Sequence, residues 1–123
     1  MASVLVIDDE AQIRKMLRRV LETEGYEVMD AADGSERVSL YREHPTDLVL
    51  TDIFMPNKEG LETIMALKRD FPEARILAMS GGGAMDSTSC LRMAKGLGAA
   101  RVYVKPFEIE GLLKDIGELL DNG

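Results

Sequence analysis

Continuous apolar runs at Val4 to Ile7, Leu48 to Leu50, Ile76 to Met79 and Val102 to Val104 alternate with segments of helical period, the pattern of βα units wrapped around a parallel sheet. Five such units fit the chain, so the pattern predicts an α/β architecture with helices on both faces of a five-stranded parallel sheet. The first helix, about 10 to 24, places Ile13, Met16, Leu17, Val20 and Leu21 on one stripe and stops at Gly25, a residue suited to the left-handed position after a helix. Tyr26 to Asp30 alternates more than the other runs, as a half-exposed edge strand does. A weakly periodic second helix follows around Ser35 to Arg42, closed by Pro45. The third helix, about 58 to 70, carries Leu61, Ile64 and Met65. The fifth, about 108 to 121, carries Ile109, Leu112, Leu113, Ile116 and Leu120, with Gly111 and Gly117 weakening it. The fourth, about 86 to 97, has the least support, because Gly81 to Gly83 and Ser87 to Ser89 favour turns and caps.

Polar residues end these runs. Asp8 and Asp9 follow the first, Asp52 the Leu48 to Leu50 run, Ser80 the Ile76 to Met79 run, and Lys105 the last. In an open parallel sheet the carboxyl ends of the strands form the ligand crevice, so residues distant in sequence converge there. Three carboxylates, one hydroxyl and one ammonium suit a magnesium ion and a phosphoryl group. Magnesium prefers oxygen ligands and keeps several waters, so two or three carboxylates are an appropriate number. Asp52 is the nucleophile candidate, since a carboxylate can attack phosphorus and form an acyl phosphate. Lys105 supplies a second cation and Ser80 a hydrogen-bond donor. Any one of these acids alone reads as a solvated loop residue; taken together, three carboxylates repel one another unless a cation neutralises them. Gly81 to Gly83 read either as a flexible turn or as backbone donors to an anion, and they lack the Gly-Lys-Ser/Thr ending of a P-loop.

Composition narrows the choice. The chain has 123 residues, matching one domain over 1–123, and its 46% apolar content suffices for a core. A net charge of -7 argues against nucleic acid as the main ligand. No apolar run approaches the ~20 residues that span a bilayer, and Met1-Ala2-Ser3 lacks a signal-peptide pattern, so no membrane association and a cytoplasmic location are expected. The single cysteine, Cys90, reads as a small core residue, and His44, beside Pro45, as a loop residue. Arg14, Lys15, Arg18 and Arg19 form a basic face on the first helix, either solvated or facing an acidic partner.

The Asp8-Asp9 pair, Asp52 with Met55-Pro56 and Gly60 downstream, Ser80, and Lys105-Pro106 occur in the order that identifies a response-regulator receiver domain of a two-component phosphorelay, and the resemblance covers essentially all 123 residues. It implies a flavodoxin-like (βα)5 fold with strand order 2-1-3-4-5. It implies that Asp52 accepts phosphate from a histidine kinase or a histidine phosphotransfer protein. Asp9 then binds Mg2+ directly, Asp8 helps through water, and the backbone carbonyl of Phe54 completes the protein ligands. Ser80 moves toward the phosphoryl group and Tyr103 rotates inward, changing the face formed by the fourth helix, fifth strand and fifth helix for partner binding. As an ordinary strand aromatic, Tyr103 has a second reading. The Lys105-Pro106 bond resembles one that is cis in the family, whereas trans is the default from sequence alone. Phe54 stands where a polar side chain is often found, which is expected to hinder attacking water and prolong the acyl phosphate. Gly82 offers no side chain at the corresponding place after Ser80.

Two other readings stay open. A haloacid-dehalogenase-type phosphatase also uses an aspartate nucleophile, but after the first strand it carries Asp-x-Asp, whereas Asp8-Asp9-Glu10 are contiguous here. A degenerate receiver would act only as a protein-binding module. Because the chain stops at Asn122-Gly123, a stand-alone receiver is expected, a phosphoacceptor rather than an enzyme acting on a separate substrate.

Overall fold

The computed structural model describes residues 2–32, 36–53, 59–80, 87–104 and 108–121. Strands and helices alternate throughout: β1 (Ser3–Ile7), α1 (Ala11–Thr23), β2 (Glu27–Ala31), α2 (Glu36–Glu43), β3 (Leu48–Asp52), α3 (Glu59–Asp70), β4 (Ile76–Ser80), α4 (Ser87–Gly96), β5 (Arg101–Val104) and α5 (Ile109–Asp121). All four strand pairings are parallel, and the sheet order is β2-β1-β3-β4-β5. β2 is therefore an edge strand, as its alternation predicts.

Successive side chains of a strand point to opposite faces, and this alternation divides the core in two. Leu5, Ile7, Val49, Ile76 and Ala78 pack with Tyr41 of α2, Leu61, Ile64 and Leu67 of α3, and Ala94 of α4. Val4, Val6, Leu48, Leu50, Leu77 and Met79 pack on the other face with Leu17 and Leu21 of α1 and Leu112 and Ile116 of α5. The split follows from right-handed crossovers. The chain steps one way from β1 to β2, then moves in the opposite direction through β3, β4 and β5. Reversing direction puts α2, α3 and α4 on the face opposite α1.

Helix boundaries fall within a residue of the sequence expectation. α1 ends where Gly25 adopts φ +97°, the left-handed conformation that L side chains rarely take, and its N–H donates to the Glu22 carbonyl at 3.0 Å. Two stripe residues differ from expectation. Met16 is 39% exposed and Met65 54% exposed, while Leu67 takes the inward position on α3. Both methionines sit at the margin of a stripe whose centre is already filled by Leu17 or Ile64. Phe54, Met55, Pro56, Gly81 to Gly83, Lys105 and Pro106 lie outside the described residues, as does the Cys90 side chain.

Candidate functional site

Register brings the site together. Ile7 of β1 is level with Thr51 of β3, so Asp8 and Asp52 each stand one residue further along adjacent strands. Asp52 in turn is level with Met79 of β4, which puts Ser80 one step beyond it. β1 and β3 flank the point where the strand order reverses, and there the connections leave a crevice at the carboxyl ends. Asp8, Asp52 and Ser80 are all buried, at 1%, 8% and 3% exposure, whereas Asp9 is exposed. Carboxylate oxygens of Asp8, Asp9 and Asp52 lie within 4.8 Å of one another.

Asp8 is held by its backbone as well as its side chain. Its N–H donates to the Ala31 carbonyl at 3.2 Å, continuing the β1–β2 ladder, and its Oδ1 accepts the Glu10 N–H at 2.9 Å. That second bond turns the chain out of β1 and into α1. The Asp8 carbonyl accepts a hydrogen bond from Arg14 Nη1 at 2.6 Å. On the far side of the crevice the Ile53 N–H donates to the Met79 carbonyl at 2.7 Å, fixing the end of β3 against β4.

The donor set fits magnesium. All three groups offer hard oxygens, and an octahedral ion with bonds of 2.0 to 2.1 Å needs its ligand oxygens about 3 Å apart in adjacent positions and about 4 Å apart in opposite ones. Oxygens already within 4.8 Å require only a small contraction.

Tyr103 is half-buried on β5 and packs on the α1–α5 side of the sheet. Its hydroxyl donates to Asp115 Oδ2 on α5 at 2.7 Å. Burial, and then the bond to Asp115, push the phenol above its usual pKa range, so it stays protonated and able to donate. Asp115 carries no motif in the sequence, and only a pairing between strand and helix reveals it.

The basic face of α1 is partly committed within the molecule. Arg14 serves the Asp8 carbonyl, and Arg18 binds Asp30 Oδ2 at 2.9 Å and Glu22 Oε2 at 3.3 Å, while Lys15 and Arg19 are exposed. The Asp30 bond raises the Arg18 pKa, burial opposes it, and Glu22 raises it further. His44 is an exposed loop residue.

Residues 4–117 match the family model described as the response regulator receiver domain. The chain belongs to that family, whose members are the receiver domains of two-component systems. It is 35% identical to the chemotaxis protein CheY of Bacillus subtilis over 119 residues, covering 96% of this chain and 97% of that one. Among solved structures, a response regulator receiver domain protein from Clostridium thermocellum superimposes with a TM-score of 0.89 at 27% identity, covering 99% and 96% of the two chains. The response regulator protein TrrA from Thermotoga maritima, solved in complex with Mg2+-BeF, superimposes with a TM-score of 0.81 at 31% identity, covering 98% and 100%. Among the described residues, no helix is long and apolar enough to cross a membrane.

Proposed function

We propose that the chain is a phosphoacceptor in which Asp52 takes a phosphoryl group from a phosphohistidine of a histidine kinase or histidine phosphotransfer protein. The observation that carries this reading is the convergence of Asp8, Asp9 and Asp52 within 4.8 Å at the point of strand reversal, beside the buried Ser80. A carboxylate oxygen of Asp52 attacks phosphorus, the phosphorus–nitrogen bond of the donor breaks, and the imidazole nitrogen leaves with the electron pair. Asp9, Asp52 and the Phe54 carbonyl would hold Mg2+ directly, with Asp8 helping through water. The bound ion supplies the positive charge that offsets the crowded carboxylates and the phosphoryl oxygens. Ser80 and Lys105 bind the transferred group, Ser80 as a hydroxyl donor and Lys105 as a cation.

The reading extends to one receiver domain over 1–123 that works in the cytoplasm through partner proteins and does not itself bind nucleic acid. Its output surface is α4-β5-α5, reached through Ser80 and Tyr103. The bond from Tyr103 to Asp115 ties the aromatic ring to that surface, and occupation of the site would shift the balance between two arrangements of it. Family membership sets the dehalogenase-type phosphatase aside, while the intact acidic cluster speaks against a degenerate binding module.

Incubation with Mg2+ and acetyl phosphate, followed by intact mass measurement, tests the proposal. One added phosphoryl group is expected on the wild type and none on Asp52→Asn. An adduct of equal extent on both proteins would place the acceptor elsewhere.

A further inference from the structure

Arg14 is a half-buried cation near the start of α1, and its side chain leaves the helix surface in the direction of the site. Helical side chains lean toward the N-terminus of their own helix, so Arg14 reaches back past the first turn and donates to the Asp8 carbonyl at 2.6 Å. A cation near a helix N-terminus opposes the helix dipole, and here Asp8, Asp9 and Glu10, which lead into α1, offset that effect. The same positive charge also stands close to a site expected to bind a divalent cation.

We infer that Arg14 is a positioning residue for the metal loop: by clamping the Asp8 carbonyl it fixes the turn that presents the Asp8 and Asp9 carboxylates toward Asp52. The attachments of this residue include the Ala31 carbonyl on its N–H, the Glu10 N–H on its side chain and Arg14 on its carbonyl. The first two come from the backbone and survive most substitutions. The third depends on a single side chain, through the guanidinium's charge-assisted bond. Asp9 is exposed and is the next residue along, so a shift of the peptide that carries the Asp8 carbonyl moves the backbone from which its carboxylate projects.

Positioning and charge predict opposite signs, which makes the inference testable. Removing a nearby positive charge alone would tighten binding of a divalent cation. Removing the clamp loosens the ligand loop and weakens binding, as loss of groups that orient metal ligands commonly does by 10- to 100-fold. The inference rests on the reading of the three carboxylates as a magnesium site. Its test is therefore an equilibrium titration of the unphosphorylated full chain with MgCl2 by calorimetry, independent of phosphoryl transfer.

Arg14→Met, similar in length and without donors, is expected to weaken Mg2+ about 10-fold, and Arg14→Lys, which keeps one charged donor, to recover most of that loss. Mg2+ affinity in Arg14→Met that is within twofold of wild type, or tighter, would overturn the inference. Should Arg14→Met not fold, Arg14→Gln takes its place under the same two outcomes. A wild type that binds no Mg2+ would overturn the metal-site reading itself, and with it the clamp; a wild type that binds while Arg14→Met binds equally well would overturn the clamp alone.

Discussion

At the amino end of the two central strands, Asp47 Oδ2 accepts the Ser3 N–H at 2.8 Å and the Ser3 hydroxyl at 3.3 Å, and the Asp47 N–H returns to the Ser3 carbonyl at 3.0 Å. At the carboxyl end of the same strands, Asp8, Asp9 and Asp52 bring like charges together. The first end joins β1 to the approach of β3 by matching donors to acceptors. The second gathers hard carboxylate oxygens, a donor set that suits a cation. The sheet is common to both ends, so the comparison sets an end that ties strands together against an end that concentrates carboxylates. Ligand crevices of parallel sheets occupy the second kind of end because strand connections part there.

Asp9→Asn is the largest intervention on this contrast. Saturating Mg2+ at about 100 times its dissociation constant should stabilise the wild type by about 2.7 kcal/mol, a rise in Tm of roughly 10 °C for a chain of this size. In Asp9→Asn that rise should largely vanish. The metal-free variant should melt higher than the metal-free wild type, because the repulsions of Asp9 with Asp8 and with Asp52, each worth about 1 kcal/mol at this separation, are gone. Thermal scans with and without MgCl2 check both signs, and an unchanged Mg2+ response would remove Asp9 from the ligand set. Asp47→Ala should do the reverse. Losing the bonds to Ser3 is expected to lower stability by about 1 kcal/mol in a urea titration while leaving Mg2+ affinity unaltered. Coupling between Asp47→Ala and Mg2+ binding would show that the two ends are not independent. The smallest effect belongs to Gly117→Ala in α5. A Cβ at Gly117 meets no atom within 4 Å, so relief of glycine's backbone entropy should add about 0.5 to 1 kcal/mol, again without altering Mg2+ affinity.

How far each part could be read from residues follows from the kind of signal it leaves. α1 was legible because Leu17 and Leu21 anchor a strong apolar stripe and Gly25 marks its end. α2 left a faint trace, because its residues Glu36 to Glu43 mix apolar and polar positions with little helical period; Tyr41 is buried, with Leu40 half-buried beside it. Met16 and Met65 misled because periodicity gives the centre of a stripe better than its edges. The acidic cluster was legible for a topological reason, since a polar residue closing an apolar run marks a strand end and parallel strand ends converge. The Arg14 contact was hidden, because a side chain bonded to a backbone carbonyl six residues earlier has no counterpart in residue type. The basic face of α1, read from charge alone as one surface, separates into residues with internal partners and residues open to solvent. Asp115 was hidden for the same reason as the Arg14 contact.

The reversal of strand order at β1 also sets a timetable for synthesis. Ser3 and Asp47 are 44 residues apart, as are Asp8 and Asp52. At a translation rate of about 5 to 20 residues per second, roughly 2 to 9 s separate the two halves of the pair. During that interval β1 can be joined by β2 and covered on one face by α1, but its other edge, which later receives β3, has no strand to meet. A nascent chain held at that stage carries an apolar strand with an open hydrogen-bonding edge, the form most prone to pair with another chain. Emergence of Leu48 to Asp52 closes that edge, and the same event delivers Asp52 to Asp8.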